Sequence, residues 1–218
     1  LRTERLRAGR TLSAVTGELA SALGVPGPIV PMTDDRVATL IDTPAGRLEF
    51  QEYFVARRQS DDVLGVVFDG MDAARAHPEA LAAIRAAEAI VIAPSNPIVS
   101  VGPILATPGM RAALDEADAP IVAVSPIVGG RALKGPAAQM LATLGHDVSA
   151  LGVARLYADL VAGIVIDVVD DDLMAAIEQV GLRVLVTETV MGGGQDRRRL
   201  ASEVLDFARS LAAQPVAM

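Results

Sequence analysis

Four short aliphatic runs, separated by segments with helix-forming composition, constrain the fold of this chain more than any other feature. The runs are residues 89–93 (AIVIA), 121–124 (IVAV), 163–168 (GIVIDV) and 182–186 (LRVLV). We expect helices over residues 78–87, 110–117, 137–144, 170–180 and 196–211. Alternation of strands and helices at these lengths predicts a parallel sheet with right-handed crossovers. We therefore expect an α/β fold with a Rossmann-like, doubly wound, mainly parallel sheet.

The composition agrees with such a sheet and suggests a small insertion in it. Hydrophobic residues make up 51% of the 218 residues and aromatic residues only 3%, so Val, Ile, Leu and Ala must fill the core, as in strands buried on both faces. We expect a single α/β domain over residues 1–218. Residues 25–60 depart from the alternation: 37–43 and 46–55 have strand composition and flank a Pro-Ala-Gly turn. They predict a β-hairpin in a small insertion lobe.

Composition and charge also exclude several classes of function. The absence of cysteine excludes disulfides, thiolate metal sites and a cysteine nucleophile, and is compatible with the reducing cytoplasm, where we place the protein. The formal net charge of −8 argues against a nucleic-acid partner, because binding to a phosphate backbone needs a basic face. No apolar run is long enough to span a membrane, so we expect no membrane partner.

Polar residues follow the first of the four aliphatic runs, in the sequence APSNP. Ligands of open parallel sheets bind outside the carboxyl ends of the strands. Ser95 and Asn96 therefore lie where a ligand would bind, and Pro97 opens a helical segment whose N-terminus attracts anions. The same residues also fit a capped turn in which the prolines merely stop the strand. Position alone leaves both interpretations open.

A glycine-rich, basic loop follows the next aliphatic run, over residues 126–136. Gly129 and Gly130 allow close approach of a ligand to the backbone, and Arg131 and Lys134 supply positive charge. Lys134 is also the only lysine of the chain. The loop follows the logic of a phosphate cradle, although neither a Walker sequence nor GxGxxG is present. Because the two loops follow successive strands, we expect them to frame one anionic ligand.

Two acidic segments are ambiguous from the residues alone. Thr33, Asp34 and Asp35 follow an apolar run, residues 29–32, that we expect to be a short strand. Their carboxylates suit a hydroxyl group or a hard divalent cation, but a cap or turn is the favoured interpretation. The run 167–172 (DVVDDD) predicts a helix cap with solvated acids, and 196–199 (DRRR) predicts an exposed helix face.

Taken together, several segments resemble the 2-phospho-L-lactate transferase family of coenzyme F420 biosynthesis, in which some members transfer phosphoenolpyruvyl groups. In chain order they are GRTLSAVTGELASALGV, PMTDDRVATLIDT, LEFQEYFV, IVIAPSNPIVSVGPIL, VSPIVGGRALKGPAAQML and TETVM. They span nearly all of the chain. APSNP and GGRALKGPA together, with FQEYFV upstream, are far more specific than any one of them alone.

The resemblance implies a reaction and a set of partners. A phospholactyl or phosphoenolpyruvyl group would pass from a guanosine diphosphate conjugate to the terminal ribityl hydroxyl of a deazaflavin, with release of GMP. Mg²⁺ and a homodimer are also implied. Members of the family begin with a strand and a glycine-rich nucleotide loop followed by acidic residues, and this sequence has neither. We therefore expect the chain to be a C-terminal fragment, with most metal ligands in the part that precedes it.

For this reaction we assign roles as a hypothesis. Ser95 and Asn96 would bind diphosphate oxygens, and Lys134 would balance their developing charge. Asp34 would orient or deprotonate the acceptor hydroxyl, or help to hold the metal, and residues 33–53 would wall the deazaflavin ring. The expected substrate-binding residues are Thr33, Asp35, Ser95, Asn96, Pro97, Gly129, Gly130, Arg131 and Gly135.

Two alternatives belong to other classes of protein. Regulatory proteins that bind nucleotide sugars, without known catalysis, share the shape of this superfamily, and the chain resembles these proteins too. A nicotinamide-dependent dehydrogenase is a more distant alternative, because GxGxxG and the expected acidic strand end are both missing.

Overall fold

The computed structural model describes residues 2–212, and within them it contains three β-sheets. One is a four-stranded parallel sheet, one is a three-stranded antiparallel sheet and one is a two-stranded hairpin. Residue 1 and residues 213–218 lie outside the described part. The expectation of one domain over residues 1–218 therefore stays a prediction.

The elements follow the alternation that the aliphatic runs predict. The strands are β1 (Ala38–Thr43), β2 (Gly46–Glu49), β3 (Gly65–Asp69), β4 (Ile90–Ile92), β5 (Ile121–Val124), β6 (Ile127–Val128), β7 (Arg131–Ala132), β8 (Gly163–Asp167) and β9 (Arg183–Thr187). The helices are α1 (Arg2–Arg7), α2 (Leu12–Ala22), α3 (Pro78–Arg85), α4 (Gly102–Ala106), α5 (Met110–Asp115), α6 (Ala137–Thr143), α7 (Ala150–Tyr157), α8 (Met174–Gln179) and α9 (Gly194–Ala212). Short 3₁₀ segments cover Met71–Ala73 and Val168–Leu173, and π-helical turns cover Glu52–Ala56 and Pro97–Val101.

The parallel sheet has the strand order β4-β5-β8-β9 and is covered by helices on both faces. On one face, α9 packs Leu200 and Val204 against Val165 of β8. On the other face, the core includes Ile164 of β8 and residues of α5, α6 and α7. Strands β5 and β8 are buried along their whole length, which explains why they consist almost entirely of aliphatic residues. The predicted α/β fold with a parallel sheet is therefore confirmed.

The antiparallel sheet contains the hairpin that the sequence predicts. Strand β2 pairs with β1 across the turn at residues 44–45, and β3 pairs with the other edge of β1. The sheet thus reaches residue 69, beyond the expected end of the lobe at residue 60. Its core meets the main domain at Met140 of α6, which packs in the same cluster as Ile41.

Two expected strand segments are wrong. Residues 29–32 form no strand, so Thr33–Asp35 do not follow one. The second strand of the hairpin ends at Glu49 rather than at residue 55, because the chain turns into the π-helical segment Glu52–Ala56. Phe50 and Phe54 are four residues apart, and their rings stack at 5.6 Å on one side of this helical turn.

No helix within residues 2–212 has the length and apolar character that a membrane crossing requires.

Helix α7, which the sequence did not predict, begins just after a bend at residues 148–149. A Cβ atom on Gly152 would lie only 2.0 Å from the carbonyl oxygen of Asp147. The backbone therefore passes so close to α7 that only glycine fits at this position.

We predict that Gly152→Ala lowers the free energy of unfolding by about 3 kcal/mol or more, because the methyl group must displace backbone. Gly17→Ala in α2 is the matched control, since nothing lies within 4 Å of the added Cβ. That control should gain up to about 1 kcal/mol from alanine's higher helix propensity. Urea unfolding of both variants measures the difference. Equal stability of the two variants would contradict the prediction.

Candidate functional site

A cavity of about 620 Å³ opens at the carboxyl ends of β4, β5 and β9. It is lined by residues 94–96 after β4, residues 125–126 after β5, the loop that precedes α6, residues 189–191 after β9, and Arg197 of α9. Cavities of this size at this edge of a parallel sheet are typical ligand sites. The two loops that the sequence singled out therefore meet at one cavity, with Ser95, Asn96 and Lys134 among its lining residues.

In the first loop, Ser95 and Asn96 have different surroundings. The Asn96 side-chain oxygen accepts hydrogen bonds from the N–H groups of Ile98 (2.8 Å) and Val99 (3.3 Å). Its amide nitrogen lies 3.4 Å from the sulfur of Met140. Asn96 thus caps the helical turn that follows, and Pro97 is buried. Ser95 is exposed, and its hydroxyl has no hydrogen-bond partner among the described residues, so it is free to bind a ligand.

The second loop forms a short hairpin at its two glycines. Gly129 and Gly130 have φ values of +56° and +72° and connect β6 to β7, as the tightest hairpin turns require. The Gly129 N–H donates to both carboxylate oxygens of Asp170, at 3.0 and 3.1 Å. Neither glycine lines the cavity, nor do Arg131 and Gly135. From the hairpin side, Lys134 is the residue that brings positive charge to the cavity.

The expected acidic group at Thr33, Asp34 and Asp35 is absent from the cavity lining. Asp34 accepts hydrogen bonds from the N–H and hydroxyl of Ser13, both at 2.7 Å, and so caps the start of α2. Asp35 receives the N–H of Arg75 at 2.8 Å, and its own N–H donates to the Thr33 hydroxyl at 3.0 Å. These residues join separate segments of the chain, as the cap-or-turn interpretation predicted.

The environment of Asp34 also disfavours the role of general base. Burial alone raises the pKa of this carboxyl, but the hydrogen bonds from Ser13 and the nearby His77 outweigh burial, so the net pKa lies below its usual value. A lower pKa makes the carboxylate a weaker base. The structure therefore supports a capping role for Asp34.

Two buried carboxylates, Asp167 and Asp170, lie behind the cavity. Asp167 caps the 3₁₀ segment that follows β8 by accepting the N–H of Val169 at 3.2 Å, as the sequence predicted, whereas Asp170 is buried rather than solvated. Asp167 and Asp170 are only 4% and 5% exposed. Asp167 accepts hydrogen bonds from the N–H (2.7 Å) and hydroxyl (2.9 Å) of Thr189, in the loop after β9. Asp170 holds the Gly129 turn. Their partners lie 22 and 41 residues away in sequence, so the sequence gives little signal for either bond.

The two carboxyls have pKa shifts of opposite sign. Burial raises the pKa of Asp167, but hydrogen bonds from Thr189 and Val169 outweigh it and leave the pKa below its usual value. Burial also raises the pKa of Asp170, and the single N–H of Gly129 is too little to offset burial and the nearby charges of Asp167 and Asp172. The net pKa of Asp170 therefore lies above its usual value.

Within residues 2–212 there is no group of three or more His, Asp or Glu side chains that could hold a metal ion. The carboxylates behind the cavity are engaged by N–H and hydroxyl groups. The described residues by themselves therefore form no metal site made of three or more such side chains.

We predict that Asp167→Asn and Asp170→Asn change the pH dependence of stability in opposite directions. The folded pKa of Asp167 lies below the unfolded value near 3.8. Its contribution to the free energy of unfolding is therefore fully present above pH 3.8 and is lost as the pH falls through the folded pKa. Asp167→Asn should therefore cost about 2 kcal/mol at neutral pH, and this deficit should shrink in acid.

For Asp170 the sign is reversed. Its folded pKa lies above 3.8, so the wild type should gain stability relative to Asp170→Asn as the pH falls through that folded pKa toward 3.8. Urea unfolding of the three proteins between about pH 3 and pH 8 measures both trends. Parallel trends for the two variants would contradict the opposite shifts.

Comparison with known proteins identifies the family. The family model described as 2-phospho-L-lactate transferase CofD matches residues 1–194. A 2-phospho-L-lactate transferase from Methanocaldococcus jannaschii is 37% identical over 96% of this chain and 67% of its own length. A phosphoenolpyruvate transferase from Streptomyces griseus is 38% identical over 98% of this chain and 69% of its own length. The chain thus spans about two thirds of the length of these relatives.

Among solved structures, a UPF0052 family protein from Bacillus halodurans is similar, with a TM-score of 0.63 over 88% of this chain and 65% of that chain. At 18% identity this likeness shows the fold alone. The classification rests on the family match and on the sequence relatives. This chain belongs to the 2-phospho-L-lactate transferase (CofD) family, a family of enzymes that transfer phosphorus-containing groups.

Proposed function

We propose that this protein transfers a phospholactyl or phosphoenolpyruvyl group from a guanosine diphosphate conjugate to a deazaflavin in coenzyme F420 biosynthesis, with release of GMP. The observation that carries the proposal is the cavity at the carboxyl ends of the parallel strands, which Ser95 and Lys134 both line. Family membership supplies the class of reaction. Because the chain spans about two thirds of the length of its relatives, we propose the whole reaction for the protein that contains this chain.

The chemistry needs little covalent participation from the protein. A primary hydroxyl of the acceptor attacks the phosphorus that carries the three-carbon acid, a new P–O bond forms, the bond to GMP breaks, and the hydroxyl proton is released to solvent with the departing GMP. Catalysis of this kind consists mostly of positioning and of neutralising charge on the phosphates. Lys134 supplies that charge, since its amine forms no ion pair within residues 2–212, and the Ser95 hydroxyl donates a hydrogen bond to a phosphate oxygen.

The apolar wall of the cavity suits the flat ring of the acceptor. Leu133, Val190 and Met191 line the cavity and are 59%, 46% and 39% exposed. Large exposed apolar side chains around a polar site are typical of surfaces that receive an apolar ligand. By contrast, Tyr53, at the end of the segment expected to wall the ring, is fully buried in the antiparallel lobe. Mg²⁺, a homodimer and a cytoplasmic location stay predictions.

We predict that the purified protein, given Mg²⁺, the deazaflavin and either guanosine diphosphate conjugate, forms GMP and a phosphodiester product that mass spectrometry identifies. Lys134→Ala should lower kcat by about 100-fold or more, because it removes a positive charge that stabilises the transition state. Arg131→Ala is the matched control. It removes a positive charge from the same loop but not from the cavity lining, so it should retain nearly the wild-type rate.

A Lys134→Ala variant with the wild-type rate, or an Arg131→Ala variant with an equal loss, would contradict the assignment of Lys134. Calorimetry with GDP, a uridine diphospho-sugar and the deazaflavin tests the function itself. Selective binding of the uridine diphospho-sugar, with no affinity for the deazaflavin, would favour a nucleotide-sugar-binding regulator instead.

A further inference from the structure

Three consecutive arginines at the start of α9 have three different surroundings. Arg199 donates to the Thr187 hydroxyl at 3.1 Å, to Glu203 at 3.0 Å and to the carbonyl oxygen of Glu188 at 2.6 Å, so it fixes the end of β9 against α9. Arg198 is exposed and does not line the cavity. Arg197 lines the cavity and forms no ion pair within residues 2–212. The sequence, which predicted one exposed helix face, did not distinguish the three.

The neighbouring acid does not neutralise Arg197. The Asp196 carboxylate accepts hydrogen bonds from the N–H groups of Gly192 (2.8 Å) and Gly193 (2.9 Å), so it is engaged by the backbone of the glycine loop. Among residues 2–212, no carboxylate pairs with the guanidinium of Arg197, which lines the cavity. In a chain with a formal net charge of −8, such a cation at a cavity favours an anionic ligand.

Arg197 and Lys134 reach the cavity from opposite sides of the sheet. Arg197 belongs to α9, which packs on the face formed by Val122 and Val165. Lys134 immediately precedes α6, whose Leu141 belongs to the core on the other face. The two cations are thus carried by separate layers of the fold, and they can bind two separate anionic groups of one ligand.

The two cations also differ in chemistry. A lysine amine is a compact point charge that suits a phosphate oxygen, whereas the planar fork of a guanidinium pairs with two oxygens of a carboxylate or of a phosphate. With the diphosphate assigned to Lys134, the carboxylate is the group left for Arg197. The donor proposed above carries a diphosphate and, on its three-carbon acid, a carboxylate. One donor molecule therefore presents an anionic group to each cation.

We propose that Arg197 is a specificity-determining residue that binds the carboxylate of the donor's three-carbon acid while Lys134 holds the diphosphate. The inference rests on the proposed function. It explains how the site distinguishes an acid-bearing conjugate from other guanosine diphosphate esters. Both the lactyl and the enolpyruvyl acid carry a carboxylate, so either donor can pair with Arg197 in this way.

The test compares two ligands that differ only in the carboxylate: lactyl-diphosphoguanosine and the P²-ethyl ester of guanosine diphosphate. Binding is measured by calorimetry without acceptor, so no turnover occurs. The wild type should bind the lactyl conjugate about tenfold or more tightly than the ethyl ester, as expected for a charge-assisted pair. Arg197→Ala should abolish this preference, and Arg197→Lys should restore only part of it.

Arg198→Ala is the matched control, because it removes the same charge from the next residue of the helix. It should keep the wild-type preference. Lys134→Ala should weaken both ligands equally and leave the ratio of their affinities unchanged. Circular dichroism checks that the variants are folded.

Two results would overturn the inference: no preference for the lactyl conjugate in the wild type, or an unchanged preference in Arg197→Ala. Failure of the proposed function gives a different result, since it appears as the absence of transfer product in the mass-spectrometric assay. If no product forms but Arg197→Ala still removes the preference, the carboxylate site stands while the transfer reaction does not.

Discussion

Two buried carboxylates at the end of β8 hold together the loops on which the cavity depends. Asp167 fixes the loop after β9 through Thr189, and Asp170 fixes the hairpin after β5 through Gly129. Burying a carboxylate is costly unless hydrogen bonds replace its water. Several N–H and hydroxyl groups donate to Asp167, whereas the single N–H of Gly129 donates to Asp170. The cost of burial is therefore offset more completely at Asp167 than at Asp170.

This arrangement also separates negative charge from the ligand site. The acids behind the cavity accept bonds from the protein's own N–H and hydroxyl groups, and Asp34 caps a helix elsewhere. The cavity itself presents the hydroxyl of Ser95 and the cations Lys134 and Arg197. No described residue that lines the cavity is acidic, so this acidic chain presents a locally positive surface there.

Much of the fold was predictable, because strands buried on both faces require continuous aliphatic runs. The meeting of the Ser95 and Lys134 loops was predictable too, since successive parallel strands end at the same edge of a sheet. The roles of individual residues were harder to predict from the sequence. Asn96 and Gly129 fit ligand binding as well as capping and turning, and only their observed partners decide between the two.

Other features depend on contacts that are distant in sequence. From the residues alone Asp34 fitted a cap or turn as well as a ligand site, and its hydrogen bond to Ser13, 21 residues earlier, identifies it as a cap. The orientation of Arg197 follows from how α9 packs on the sheet, which local sequence does not specify. Local sequence also does not specify the position of Tyr53. Its composition predicted a strand, but Tyr53 lies in a helical turn and is buried against Ile41 and Met140.

We propose that phosphate groups bind in the cavity between the Ser95 loop and Lys134. A crystal structure with bound GDP would test this proposal. We expect diphosphate oxygens within about 3 Å of the Lys134 amine and the Ser95 hydroxyl, with the Gly129 N–H still bonded to Asp170. A nucleotide bound elsewhere on the chain, with Lys134 far from its phosphates, would contradict it.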